Sequence, residues 1–276
     1  MIRYWIHALT PVHVGTGRGL GYIDLPISRE KVTNWPYIPG SSIKGVIADH
    51  FGASDENRLK DIELKAAFGT SGNDDSNAAG AMVFSDANIF CLPIRSFYGT
   101  FAWVTSPFCL RRIGINPPDL NIDALVSNNS QISKQNKIYL EDIDLQVNTN
   151  NEIENIAKTT AEKLFDKTWQ KIFVERFVIV NDDTFNFLCE TGTEVNAHIR
   201  IDENTGVVVD GALWYEESLP VETILTGQIW CDRVFVQDLT PEKLFQRFCS
   251  ENLNIQIGGK ASTGKGQVRF IFERGN

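Results

Sequence analysis

Residues 11–45 read PVHVGTGRGLGYIDLPISREKVTNWPYIPGSSIKG, and the organisation of the whole chain follows from this stretch. It sets a histidine, a lone aspartate and Gly-rich turns ahead of a helix start that carries Lys44. Glycine has no Cβ, so backbone N–H groups there approach a ligand closely. A helix N-terminus adds unpaired N–H groups and a partial positive charge, which suits a phosphate. Ser41 or Ser42 is expected to cap a helix whose apolar positions Ile43, Val46, Ile47 and Phe51 follow helical spacing. A bound phosphate would also offset the unfavourable placing of Lys44 in the first helical turn. Asp24 then falls between two anion-binding elements. An acid there repels phosphate unless it binds a metal or takes part in chemistry.

Working outward, Met1–Leu9 alternates, with Ile2, Tyr4, Ile6 and Ala8 on one face and Arg3, Trp5 and His7 on the other, which predicts a strand. Met82–Phe84, Phe177–Val180, 224–236 and Gln267–Phe272 read as further strands. Residues 152–172 form one amphipathic stripe, read as a helix. Pro241, after Thr240, opens a helix expected to run through Leu253. Residues 195–210 read as a hairpin around a DENTG turn. Residues 70–80 are a loop by composition. Strand–helix–strand at both ends of the chain predicts an α+β fold of ferredoxin-like (RRM-like) type.

Hydrophobic residues make up 42% of the 276-residue chain, enough to build a substantial core. The N-terminal residues run straight into motif sequence, which predicts no signal peptide. No apolar run approaches the roughly 20 residues of a membrane span. The five cysteines are scattered without a C-x-x-C pair, so neither a zinc site nor a disulfide framework is indicated, and a reducing cytoplasm is expected. The net charge of −9 argues against non-specific nucleic-acid binding. Its distribution points the other way. Residues 1–50 carry Arg3, Arg18, Arg29, Lys31 and Lys44 against Asp24, Glu30 and Asp49, and residues 255–276 carry Lys260, Lys265, Arg269 and Arg274 against Glu273. An RNA-binding patch would therefore be built from the two ends of the chain.

Residues 259–266, GKASTGKG, nearly match a phosphate-binding P-loop. Gly266 stands where Ser or Thr would hold Mg²⁺, and a strand follows where a helix is required. A Gly-rich loop with two lysines suits a nucleic-acid backbone better than a nucleotide. No H-x-x-x-H pair or nucleophile elbow supports a metalloprotease or an esterase. Asp86, Glu216 and Glu217 are further acids whose distance from Asp24 the sequence does not show.

HVGTGRG (13–19), IDLPISRE (23–30), PYIPGSSIKG (36–45), FSDANIFCLPIRSFYGTFAWVTSP (84–107), GALWYEESLP (211–220) and IQIGGKASTGKG (255–266) together resemble the RAMP superfamily of CRISPR proteins. Within it they are most similar to the backbone subunits of type III-B (Cmr) effector complexes. The resemblance implies a single domain over 1–276: a ferredoxin-like palm with a thumb hairpin inserted at 190–222. Residues 113–150 are polar and Asn-rich, and 108–150 is expected to be an irregular insertion. The resemblance also implies that copies stack head to tail along a guide RNA, that each thumb interrupts the guide–target duplex, and that each copy cuts the paired target RNA. The partners would be guide RNA, target RNA, further copies of the chain and the other Cmr subunits, in a prokaryotic cytoplasm with no membrane. Asp24 maps onto the cutting residue and onto a ligand of a divalent cation, Mg²⁺ or Mn²⁺. His13 is a helper that positions phosphate or shuttles a proton, and Glu216 falls near the site. Arg18, Ser41, Ser42, Lys44, Arg95, Gly258, Gly259, Lys260 and Lys265 would hold the guide backbone. A non-catalytic guide scaffold and a metal-independent, repeat-processing endoribonuclease are the alternatives.

Overall fold

The computed structural model describes residues 1–17, 19, 21–70, 79–236 and 238–273. The chain begins with β1 (Ile2–Ala8), β2 (Tyr37–Ile38), helices α1 (Gly40–His50), α2 (Asp55–Lys60) and α3 (Ile62–Phe68), then β3 (Met82–Phe84), β4 (Ala87–Arg95) and β5 (Phe101–Thr105). Next come α4 (Pro107–Arg112), β6 (Ala124–Val126), β7 (Ser133–Lys134), β8 (Lys137–Leu140), β9 (Ile143–Thr149), α5 (Asn151–Leu164), α6 (Lys167–Arg176), β10 (Phe177–Val180) and α7 (Asp182–Thr191). It closes with β11 (Glu194–Ile201), β12 (Val208–Ser218), β13 (Ile224–Cys231), α8 (Pro241–Phe248), β14 (Leu253–Gln256) and β15 (Gln267–Phe272).

Four strands form the ferredoxin-like centre, in spatial order β15–β1–β13–β4 with every neighbour antiparallel. β1 and β4 flank β13 and are joined through α1. β13 and β15 flank β1 and are joined through α8. These two interleaved strand–helix–strand units are the predicted α+β architecture. β1 is buried on both faces, because Tyr4 stacks on Phe270 on one side while His7 meets Phe165, just beyond α5, on the other. The alternation in 1–9 thus marks a central strand rather than a half-exposed one.

The segment 108–150 is not irregular. α4 opens it, and β6–β9 extend the central sheet through β5 and β10. Polar composition hides these strands because two of its polar residues make a turn. Gln135 and Asn136, both at positive φ, are the two-residue loop between the paired Lys134 and Lys137, the left-handed turn that tight hairpins favour. The core-facing positions of these strands are buried, as Ala124, Val126, Ile138, Leu140 and Val147 show.

The stripe at 152–172 is two helices, not one. Phe165 is extended, and the Asp166 carboxylate accepts the N–H groups of Thr168 and Trp169, so it caps a second start. The helix opened by Pro241 stops at Phe248, and Leu253 lies in β14 opposite Phe270. β14 had been hidden inside that helical reading.

β11 and β12 form a two-stranded sheet of their own, apart from the central one. Their tip is closed by Asp202, whose carboxylate accepts the N–H groups of Asn204 and Thr205, with Gly206 at positive φ. One face of this hairpin leaves Val195, Ile199, Ile201, Leu213 and Tyr215 exposed. The other carries His198 stacked on Trp214. Among the described residues no helix is long and apolar enough to cross a membrane.

Candidate functional site

The two ends of the chain meet at the root of the β11–β12 hairpin. Val12 and Leu219 exchange backbone hydrogen bonds of 2.9 Å. Gly266 N–H donates to the Pro11 carbonyl at 2.8 Å, and Gly259 N–H to the His13 carbonyl at 2.9 Å. Gly258 must be glycine here: its φ is +88°, and a Cβ would lie 2.3 Å from the His13 carbonyl oxygen. The Gly-rich loop 258–266 is therefore pressed onto the 11–15 segment.

Asp24 sits on an exposed loop closed by a hydrogen bond from Gly19 N–H to its carbonyl. The next residue, Leu25, forms a parallel bridge with β12: its N–H donates to the Tyr215 carbonyl at 3.0 Å, and its carbonyl accepts from Glu217 N–H at 3.0 Å. Tyr215 N–H donates to Asp24 Oδ2 at 2.8 Å. One carboxylate oxygen is thus anchored to the hairpin root.

Glu216 and Glu217 are adjacent strand residues, so their side chains leave on opposite faces. Glu216 is 1% exposed, with Oε1 2.6 Å from Lys265 Nζ and Oε2 3.2 Å from Lys260 Nζ. Lys265 also donates to Ser218 Oγ. Glu217 receives Arg29 Nη2 at 2.6 Å, Thr193 Oγ1 at 2.9 Å and Ile27 N–H at 3.0 Å. His13 is buried and its Nδ1 lies 2.6 Å from the Glu217 carbonyl oxygen. A carbonyl only accepts, so Nδ1 carries the hydrogen and Nε2 is the nitrogen left for other partners.

Burial pushes the Glu216 carboxyl up, but the hydrogen bonds and charges of Lys265 and Lys260 outweigh it and hold it below the usual value of 4.5. Its folded value lies below its unfolded one, so the stabilisation is complete above about pH 4.5 and is lost as pH falls through the folded value. In urea titrations, the midpoint gap between wild type and Glu216→Gln should stay constant at neutral pH and close in acid. A gap that persists undiminished at pH 3 would contradict this.

His13, Asp24, Glu216, Gly258, Gly259, Lys260 and Lys265 come together here. Four other predicted residues do not join them. Ser41 and Ser42 cap nothing: Pro39 is the N-cap of α1, and Gly40 N–H donates to Asp86 Oδ1 at 2.7 Å. A carboxylate already occupies the helix start expected to receive a phosphate. The approach is possible because residue 40 is glycine, since a Cβ would lie 2.2 Å from the Phe84 carbonyl. Lys44 is half-buried on α1, and desolvation and the nearby Arg58 charge push its ammonium down. Among the described residues it has no ion-pair partner. Arg95 is exposed at the far end of β4. Arg18 lies outside the described residues. The sequence reading missed Arg29, Thr193 and Ser218. The signal that could have found them is the pair of neighbouring acids in WYEES, which on a strand cannot share one role and must each find separate partners.

The RAMP superfamily sequence model matches residues 5–269. The chain belongs to the RAMP superfamily. Among RAMP relatives, the Pyrococcus furiosus protein named CRISPR system Cmr endoribonuclease Cmr4 is 31% identical, over 97% of this chain and 94% of its own. The Saccharolobus solfataricus protein named CRISPR system CMR subunit Cmr4 is 24% identical over the same shares. The fold superposes on the crystal structure of oligomeric Cmr4 from Pyrococcus furiosus with a TM-score of 0.75 and 26% identity, covering 99% of this chain and 97% of the other.

Proposed function

We propose that this RAMP chain is the repeating backbone subunit of a type III-B RNA-guided complex, and that it cleaves target RNA paired to the guide. The Pyrococcus furiosus relative is named an endoribonuclease and forms an oligomer in its crystal structure. The observation that carries the reading is the exposed Asp24 carboxylate, anchored at the hairpin root beside the Gly-rich loop. The β11–β12 hairpin, with its exposed apolar face, is the thumb that enters the guide–target duplex. The 258–266 loop lies against the guide backbone, and base pairing supplies sequence specificity.

Asp24 would repel the scissile phosphate without a cation between them. Among the described residues no three His, Cys, Asp or Glu side chains converge on a metal position. Glu216 and Glu217 are committed to lysines, Arg29 and backbone. Asp24 is the residue that would hold a Mg²⁺ or Mn²⁺ ion, hard cations that suit a carboxylate oxygen. Such a cation would neutralise charge developing at the phosphate. Asp24 orients through Tyr215 N–H, and Nε2 is the His13 atom left to meet RNA.

A time course of the assembled complex with labelled complementary RNA and Mg²⁺ tests the reading. Fragments should appear at constant spacing, and chelator should suppress them. No fragments with Mg²⁺ would leave a guide scaffold; cleavage of precursor guide RNA in chelator would leave a repeat-processing enzyme.

A further inference from the structure

Four consecutive residues of β12 hold the parts of the site together. Tyr215 N–H holds Asp24, the Glu216 carboxylate holds Lys265 and Lys260, the Glu217 carbonyl holds His13, and Ser218 Oγ holds Lys265 again. Glu216 is the one acid beside Asp24 on β12 that a sequence reading places in the chemistry, yet its geometry opposes that. A general acid or base must reach the proton it transfers. Glu216 is 1% exposed, and each of its oxygens already faces a lysine ammonium. The two lysines differ in turn. The Lys265 side chain is 14% exposed and is spent on Glu216 and Ser218, whereas Lys260 is 37% exposed on a residue in the left-handed backbone region. Lys260 therefore stays open to solvent at the rim of the pair while Lys265 acts inside.

We infer that Glu216 is a positioning residue: through Lys265 and Lys260 it fastens the Gly258–Gly266 loop to the hairpin strand that also anchors Asp24. The inference rests on the reading of the chain as an RNA-cleaving subunit. The tie fixes the separation between guide backbone on the loop and target phosphate at Asp24, and it links both to the seating of the hairpin. Glu216 transfers no proton. Lys265 is an internal brace, and Lys260 is the cation of this pair that meets phosphate.

The test uses reconstituted complexes carrying Glu216→Gln, Glu216→Ala, Lys265→Met, and Lys265→Met with Glu216→Gln. Single-turnover cleavage is followed against pH, and hydrogen exchange is followed over 24–27 and 258–266. Glu216→Gln keeps an acceptor for Lys265, so its rate should stay within about threefold of wild type with an unchanged pH profile, where loss of a general acid or base costs about 100-fold or more. Glu216→Ala and Lys265→Met should each slow cleavage by about 10- to 100-fold, the scale of a misplacement near 1 Å, and should speed exchange in both segments. Adding Glu216→Gln to Lys265→Met should restore part of the rate, because no buried charge is then left short of its main partner. Lys260→Met should lower the salt dependence of RNA binding by about 0.7 of a log unit per log unit, and Lys265→Met should not. A Glu216→Gln complex that binds guide and target but loses one limb of the pH profile would overturn the inference. So would unchanged exchange in Glu216→Ala, a readout that stands even if the wild-type complex cuts nothing.

Discussion

Asp24→Asn is expected to abolish the periodic cutting of target RNA while guide and target binding stay at wild-type levels. The amide oxygen of Asn can still accept the Tyr215 N–H hydrogen bond that Asp24 Oδ2 accepts at 2.8 Å. The exposed position adds no core packing that the change could disturb. What disappears is the negative charge. Without it the residue loses its hold on a cation at the scissile phosphate, and a loss on the order of 1,000-fold in cleavage rate is the expected scale for removing such an electrostatic element. The measurement is a single-turnover time course on the assembled complex, with filter binding of both RNAs in parallel. Cutting at undiminished rate would remove Asp24 from the chemistry.

The second large effect is on stability and comes from the neighbouring acid. The Glu217 side chain is 3% exposed and pairs with Arg29 at 2.6 Å, itself 16% exposed. The same carboxylate accepts Ile27 N–H and Thr193 Oγ1, while Arg29 also donates to the carbonyls of Cys189 and Asn34. Glu217→Ala would leave a mostly buried guanidinium without its counter-ion and a buried N–H without its acceptor. Breaking a buried pair from one side costs about 3–5 kcal/mol, which in a chain of this size corresponds to a fall in Tm of roughly 10 °C. Calorimetry on the free chain measures it. The double change Glu217→Met with Arg29→Met should cost clearly less, because neither charge is then stranded. A Glu217→Ala chain that melts within about 2 °C of wild type would show that the pair contributes nothing net, as exposed pairs often do.

Much of this architecture was legible in the sequence where local rules act alone. Alternation in Met1–Leu9, the turn chemistry of Asp202–Gly206 and the proline at the start of α8 each specify an element without help from the rest of the chain. The elements that escaped were those where a local signal meant something other than its usual sense. Asn136 looked like loop composition and is half of a hairpin turn. The stripe over 152–172 stays in phase across Asp166, so periodicity conceals the break. Leu253 continued an apolar helical pattern but pairs in a sheet.

The site divides along the same line. The pattern of residue types by itself pointed to Asp24, to the Gly-rich loop and to a basic patch assembled from both ends of the chain. It also placed Ser41, Ser42 and Lys44 on a free helix start and Lys265 on RNA, where the tertiary structure sets the Asp86 carboxylate at that helix start and Glu216 beside Lys265. Asp86 reaches the α1 start from 46 positions along the chain, and Glu216 reaches Lys265 across 49. A charge's work depends on the counter-charge that folding brings within 3 Å, and no local pattern encodes that partner. The sequence determined which groups are available at this centre; only the packing of β12 against the chain's two ends decided that Asp24 stays exposed while Glu216 and Lys265 neutralise each other inside.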